Sequence, residues 1–533
     1  MTSHPEHPSA GRPRTQPWRR RRPAGRVSTG PRARLSRCRA FSPLLAVALI
    51  VVSCSPAAPP APTGPPRHLI LVTVDTLRAD HTSLHGHPRE TTPQIDRRAA
   101  AGVVFEQAIA QWPKTGTSFA SMFSGRYPQS TGLIYKAALR LPPTLEVLPA
   151  ILQENGFETV AVVSNAVLSK ELGWDRGFDE YVETWGDELT EDPVEYRKLL
   201  WAGRVNELAL PLLERHHDAE RLFAWIHYSD PHAPYVLPEG YENPFVEDAV
   251  YRSEPDTTVD LRGTRGKAIG DRRDLAFYRA QYDANVRVTD EAIGELLDQL
   301  DESGLLSDAL VVFTADHGES LGEHGSYFEH GPLPYNTTSR VPLVVWSPGR
   351  IEARRVAGPV ALVDLFPTLL EWLLPETVLP ALSDAEGASL LPVLRGEVQV
   401  APRRGDVPLA FAEAGRPPTR YWSVQDERWK LIYRQPADGR RPSIEHYELY
   451  DLVADSLETN DLAAADHPEL ARLRRPLEAW RSTAARPGPE REKSESELKA
   501  LRALGYVDEE TTDQGPVPEE PDGAEPDQGN ESR

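Results

Sequence analysis

Cysteine is almost absent. The 533 residues hold two, Cys38 and Cys54, and both precede the first stretch that reads as folded. A disulfide in the folded part is thereby excluded, and so is a cysteine nucleophile, so any catalytic hydroxyl or carboxylate there acts without a thiol beside it.

Long hydrophobic runs are missing as well. The apolar stretch FSPLLAVALIVV at 41–52 is twelve residues, far short of the ~20 that a membrane span needs. It follows a segment, residues 1–40, with eleven arginines, four of them consecutive at 19–22, against the single acid Glu6. A basic lead, a short apolar core and then VVSC make an export signal that resembles a bacterial lipobox, with SPAAPPAPTGPP as a Pro/Ala-rich tether behind it. The expectation is a lipid anchor at Cys54 and a place in the bacterial cell envelope, in the periplasm or on the outer membrane face.

Positive charge is in deficit too: the formal net charge is −21, and cutting before Cys54 would remove eleven arginines against one glutamate. No basic footprint for a nucleic acid remains. An anionic substrate would have to be drawn in locally, by metal and oriented donors working against the overall field. No internal repeat is visible.

What is present is an alternation. HLILVTVD at 68–75 is a continuous β-rich apolar run stopping at an acid, as a buried parallel strand does. TVAVVSN (159–165), LFAWIHY (222–228), ALVVFTAD (309–316) and PLVVWS (342–347) repeat the pattern. Helical patterns separate them: TPQIDRRAAAGVVF with Thr92 as N-cap and Pro93 behind it, LEVLPAILQENG ending at Gly156, and ANVRVTDEAIGELLDQLDESG ending at Gly304. Strand and helix alternating over about 280 residues predict an α/β fold, an open sheet with helices on both faces and ligands gathered at the strands' carboxyl ends.

From about residue 400 the texture shifts to PLAFAEA, RYWSVQD, RWKLIYR and EHYELYDL, then a helical stretch around 467–482, which predicts a small antiparallel sheet with a packed helix. The expected division is a basic lead and signal over 1–53, a tether over 54–67, a catalytic domain over 68–400, a C-terminal subdomain over 401–485, a docking helix over 486–507, and a disordered tail over 508–533. That tail holds ten acids and one arginine.

Four pieces fall at strand ends or in the turns after them: Asp75, Thr115, Asp230 with His232, and Asp316 with His317. In TADHGES the Asp and His just past a strand can both turn toward one cation, with Asp75 from a neighbouring strand completing an anionic cage. Such oxygen-rich ligation suits Ca²⁺, Mg²⁺ or Mn²⁺, while more histidine would favour Zn²⁺. Singly, an Asp closing a strand is often a helix cap and a His after it a satisfied polar residue. The order of the pieces carries the argument.

LVTVDTLRADH, TPQIDRRAAAGVVFEQAIA, WPKTGTSFASMFSGRYP, DPHAPY, VVFTADHGESLGEHG, RVPLVVWSPG and ELYDLVADSLETNDL, in that sequence, resemble the sulfatase family of the alkaline phosphatase superfamily. The resemblance spans roughly residues 68 to 465 and implies an alkaline-phosphatase-like α/β/α sandwich with a large mixed central sheet, plus a C-terminal subdomain with a four-stranded antiparallel sheet. By motif it implies Asp75, Asp316 and His317 as metal ligands and Thr115 as the nucleophile. It implies His232 as the histidine that holds the transferred group or protonates the leaving oxygen, and His330, in FEHGP, as a further group near the same oxygens. His324, in GEHG, fits a structural hydrogen bond equally well.

The departures bear on the chemistry. Relatives carry Cys or Ser at the Thr115 position, inside a Cys-x-Pro-Ser-Arg turn, and oxidise it to formylglycine. Threonine's secondary alcohol would give a ketone, so no formylglycine is expected and Thr115 acts unmodified. Thr76 replaces the second Asp of the strand-end pair, Thr117 the Pro and Phe119 the Arg, while Ser164, Asn165 and Val167 stand where many sulfatases read Gly-Lys-x-His.

A formylglycine hydrate expels sulfate through its spare hydroxyl. A threonine ester must be opened by water at the central atom, as phosphoryl enzymes do. The expected activity is therefore metal-dependent hydrolysis of an anionic ester, with phosphate or phosphonate favoured. Sulfate ester hydrolysis, transfer of a phosphoryl headgroup and an inactive binding module are the alternatives.

Overall fold

Strand β1 (His68–Val74) is buried at every residue, because it lies in the middle of the sheet with a neighbour on each edge and a covering on each face. The computed structural model describes residues 64–483 apart from 135–139, 187–192, 249–250, 252–256, 260–267, 378–379, 401–408, 417–418 and 436–443. The expected signal, the Cys54 anchor, the docking helix at 486–507 and the acidic tail fall outside the described residues, as does nearly all of the tether.

The strands that follow β1 are β2 (Val103–Ile109), β3 (Glu158–Val163), β4 (Glu180–Glu183), β5 (Leu222–Tyr228), β6 (Ala309–Ala315), β7 (Ser320–Leu321), β8 (Tyr327–Glu329), β9 (Arg340–Trp346) and β10 (Arg354–Ala361). Among the described residues, eight of them form one sheet in the order β10-β2-β9-β6-β1-β5-β3-β4. β9 alone in that sheet runs against the rest, pairing antiparallel with β2 and β6 while the other neighbours pair parallel. The sheet is therefore mixed, as the resemblance implies; PLVVWS, which the apolar pattern groups with the parallel strands, is the antiparallel β9, because a strand buried on both faces is continuously apolar whichever way it runs.

One predicted helix is shorter than its pattern. TPQIDRRAAAGVVF is helical only over Pro93–Ala99, and its VVF opens β2. Thr92 stands at the N-cap position but does not cap: the Asp290 carboxylate accepts the N–H groups of Gln94 and Ile95 at 2.8 and 2.9 Å. The helix predicted to end at Gly304 begins earlier than its apolar pattern, running Leu275–Glu302 with Asp274 capping Phe277 N.

A second sheet, β11 (Ala410–Arg416), β12 (Thr419–Gln425), β13 (Trp429–Arg434) and β14 (Tyr447–Asp451), is antiparallel and consecutive in order. The helix Pro468–Arg481 covers it, burying Leu470, Leu473 and Leu477 against Trp422, Val424, Leu431 and Leu449. Leucines at i, i+3 and i+7 place that whole stripe on one face. Among the described residues no helix is long and apolar enough to cross a membrane.

Candidate metal and nucleophile site

β3, β5, β1 and β6 are parallel neighbours, so their carboxyl ends open onto one edge, and Asn165, Asp230, Asp75 and Asp316 follow those ends. Geometry of this kind collects ligands between the strand tips. Asp75, Asp316 and His317 are wholly buried and offer ligand atoms that all lie within 4.8 Å of one another.

His317 is held in one tautomer. Its Nδ1 lies 2.9 Å from the Gly318 carbonyl, an acceptor only, so the proton sits there and the bare Nε2 faces the acids. That Nε2 lies 3.4 Å from Asp316 Oδ2, 3.9 Å from Asp75 Oδ1 and 3.3 Å from Thr115 Oγ1. Asp316 Oδ1 is occupied by the N–H groups of Thr76 and His317 at 3.2 and 2.8 Å. Asp75 Oδ2 accepts from Asn165 Nδ2 at 2.5 Å.

The other two carboxylate oxygens, Asp75 Oδ1 and Asp316 Oδ2, are buried without a hydrogen-bond partner among the described residues. Burial pushes both acids toward the protonated form, Asp75 well above the usual range and Asp316 up to about 7, with the Asp316 charge adding to the rise at Asp75. Burial also lowers His317. Two unsatisfied carboxylate oxygens and a bare imidazole nitrogen in a dry site fit a divalent cation, which removes the cost of burying them alone.

Thr115 is the first residue of the helix Thr115–Ser124, which ends on Gly125 in the left-handed region at φ 67°. At that position its own N–H and those of the next two residues are free of intrahelical partners, and the helix dipole points its positive end at the site. Ser118 Oγ donates to the Asp316 carbonyl at 2.7 Å, latching the helix start to the acid. Phe119 points away from the site: its ring packs 4.9 Å from Trp225 and 5.1 Å from His227.

His330 and His232 join the cluster. The His330 ring lies 4.4 Å from that of His317 and 5.2 Å from that of His232, centroid to centroid, and burial, then the neighbouring His330, holds His232 well below the usual imidazole range.

Asp230 does something else. Its carboxylate pairs with Arg197 and accepts Ala202 N at 2.8 Å, so both oxygens are committed and it is not a ligand of the cluster. His324 is exposed, stacked on Tyr335 at 3.5 Å with Nε2 3.0 Å from the Leu457 carbonyl, the structural alternative for that residue.

Three residues escape the motif argument. Asn165 follows β3 and holds Asp75. Glu319, wholly buried, lies 3.0 Å from His330 Nδ1 through Oε1; its signal was its place in TADHGES. Lys114 is buried beside the site and its charge helps depress His317.

The sulfatase family model matches residues 67–374, more than half of the chain. The chain belongs to the sulfatase family. A second model, the C-terminal region of N-sulphoglucosamine sulphohydrolase, matches residues 322–481. Among curated relatives, arylsulfatase K of Gallus gallus is 25% identical over 471 residues, covering 79% of this chain and 84% of its own. A solved complex of a protein with its substrate D-glucosamine-2-N,6-O-disulfate aligns at TM-score 0.61 and 21% identity, over 79% of this chain and 98% of that one. The phosphonate monoester hydrolase of Silicibacter pomeroyi aligns equally well, at TM-score 0.61 and 20% identity over 78% and 95%. The two solved proteins have one fold, and this sulfatase-family chain shares it.

Proposed function

We propose that this chain is a metal-dependent hydrolase of anionic esters in which unmodified Thr115 takes the transferred group, with phosphate or phosphonate esters favoured over sulfate esters. The observation that carries the reading is the Thr115 hydroxyl at the start of a helix, 3.3 Å from His317 Nε2 and beside two buried carboxylate oxygens that have no hydrogen-bond partner among the described residues.

Asp75, Asp316 and His317 would hold the cation, of Ca²⁺, Mg²⁺ or Mn²⁺ type, with Zn²⁺ also compatible. When bound, such an ion supplies positive charge that lowers the pKa of a coordinated hydroxyl and offsets charge on the transferred oxygens. The chain's own groups do the rest. Thr115 Oγ gives its proton to solvent and bonds to phosphorus or sulfur, while the bond to the leaving alkoxide breaks in line with it and His330, or His232 once the anionic substrate has restored its proton, protonates that alkoxide. Free N–H groups at the start of Thr115–Ser124 face the charge that develops on the remaining oxygens. Water then attacks the central atom of the threonine ester and gives its proton back to the histidine that protonated the alkoxide, while the bond to Thr115 Oγ breaks and that oxygen takes a proton from solvent, restoring the hydroxyl.

The chemistry of that second step favours phosphorus. The likeness to a phosphonate monoester hydrolase is consistent with it, whereas the arylsulfatase relative favours sulfate. Assaying the full chain with aryl phosphate, phosphodiester, phosphonate and sulfate esters, each cation added in turn, tests the choice. Turnover of the sulfate ester alone would overturn the preference, and no turnover with any ester together with no bound metal would overturn hydrolysis itself.

We also propose that Cys54 carries a lipid that anchors the enzyme in the cell envelope, on the strength of the VVSC sequence behind a short apolar run. A membrane-fraction protein whose N-terminal peptide lacks a lipid-sized mass increase would count against it.

A further inference from the structure

Among the described residues a second group of metal-ligating side chains, sharing no residue with the first, joins the segment after β1 to the long helix Leu275–Glu302. His81, His87 and Asp283 offer ligand atoms within 4.8 Å of one another. Asp283 is wholly buried, and the side chains of His81 and His87 are 13% and 5% exposed. Gly86, in the left-handed region at φ 91°, turns the chain so that His87 comes back over His81, their rings 4.9 Å apart.

His87 is the anomaly. Although its side chain is buried, neither ring nitrogen makes a hydrogen bond among the described residues. Nε2 stands 3.1 Å from Asp283 Oδ2 without the alignment of a hydrogen bond. A buried imidazole with no partner costs free energy unless something else takes its lone pair.

The surroundings are those of a ligand set held from behind. Tyr251 O–H donates to Asp283 Oδ2, the Tyr282 ring meets His81 edge-on at 5.1 Å, and Arg89 stacks over Tyr251 at 3.8 Å. Arg89 Nη1 is 3.9 Å from Asp283 Oδ2, beyond hydrogen-bond reach, so it does not close the carboxylate. His81 Nδ1 lies 2.6 Å from Asp283 Oδ1 and would give up that contact, carrying its proton on Nε2 instead.

We propose that His81, His87 and Asp283 form a second metal site, selective for Zn²⁺ over Ca²⁺ or Mg²⁺. Two imidazoles and one carboxylate are the donors that zinc prefers, with water left to complete a four-coordinate shell. The alkaline-earth ions want more oxygen than this site has. Zinc there would pin residues 79–89, which lead away from Asp75, onto the long helix. The site is independent of which ester the active site takes.

The test uses the full chain carrying Asp316→Asn and His317→Ala, which removes the first site. After chelation and dialysis against Zn²⁺, this variant is expected to retain one zinc per chain. X-ray absorption at the zinc edge is expected to show two imidazole nitrogens at about 2.0 Å. Adding His87→Ala or the milder His87→Gln should abolish retention, and Tyr251→Phe should weaken binding by about tenfold because it loosens only Asp283. Absence of zinc from the double variant, zinc without imidazole ligation, or retention unchanged by His87→Gln would each overturn the site.

Discussion

Asn165 Nδ2 donates to Asp75 Oδ2 at 2.5 Å, while Asn165 Oδ1 accepts Val167 N at 3.0 Å. The backbone contact fixes which way the amide faces, so one oxygen of Asp75 is spoken for and the other is turned to the cluster. Asn165→Ala frees both oxygens. Metal affinity is expected to fall by ~10–100-fold, read by competition with a chromogenic chelator, and unchanged affinity would show that Asp75 holds its rotamer without help.

Thr115→Ala is expected to remove turnover while leaving metal binding and thermal stability near those of the unaltered enzyme. Thr115→Ser keeps a hydroxyl and should keep measurable activity on whichever ester is turned over. Undiminished kcat in the alanine variant would make water the nucleophile from the start.

Glu319 positions His330 through the 3.0 Å contact to Nδ1. Glu319→Gln keeps the shape and replaces a carboxylate acceptor by an amide that need not hold the ring. kcat should fall by ~10–100-fold, with KM little changed. A kcat equal to that of the unaltered enzyme would give Glu319 a packing role only.

Burial holds Asp316 up to about 7 and Asp75 well above its ordinary range when no cation is present. A divalent ion must displace those protons, so its affinity should rise as pH rises through about 7 and level off above. Calorimetry in two buffers of different ionisation heat measures the protons released. Release of none near neutral pH would contradict the raised values.

Asp290 tests the same physics away from the chemistry. Burial pushes it up to about 7 although it accepts two helix N–H groups, against roughly 3.9 in an unfolded chain. The native state therefore keeps a proton that the unfolded chain has lost. The group's contribution is fully present below about pH 4 and fades as pH rises through about 7. Asp290→Asn cannot titrate, so its thermal stability should vary less with pH across that window than that of the unaltered enzyme. Parallel curves would refute the shift.

Several of these positions were legible early because strands that are buried on both faces must be continuously apolar and must stop where polarity returns. β1, β5 and β6 announce themselves that way, with Asp75 and Asp316 as the first polar residues beyond. β2 was hidden inside a helical pattern, since VVF after RRAAAG continues an apolar spacing that suits either element. β4 and β10 are interrupted by Glu, Arg and Gly at the sheet's edges, where one side lacks a strand neighbour and the period blurs.

What the order of residues determined by itself is the chemical inventory: no thiol among the described residues, a threonine in the WPKTGTSFAS segment, and acids and histidines at strand ends. Which inventory members meet was decided by tertiary structure. Asp230 and Asp316 both close apolar strands, yet a guanidinium from Arg197 reaches only the first and leaves the second with an oxygen facing Asp75. Asn165, Glu319 and His87 likewise read as ordinary polar residues until folding buries them, because burial removes the water that would otherwise satisfy them and makes each remaining partner count.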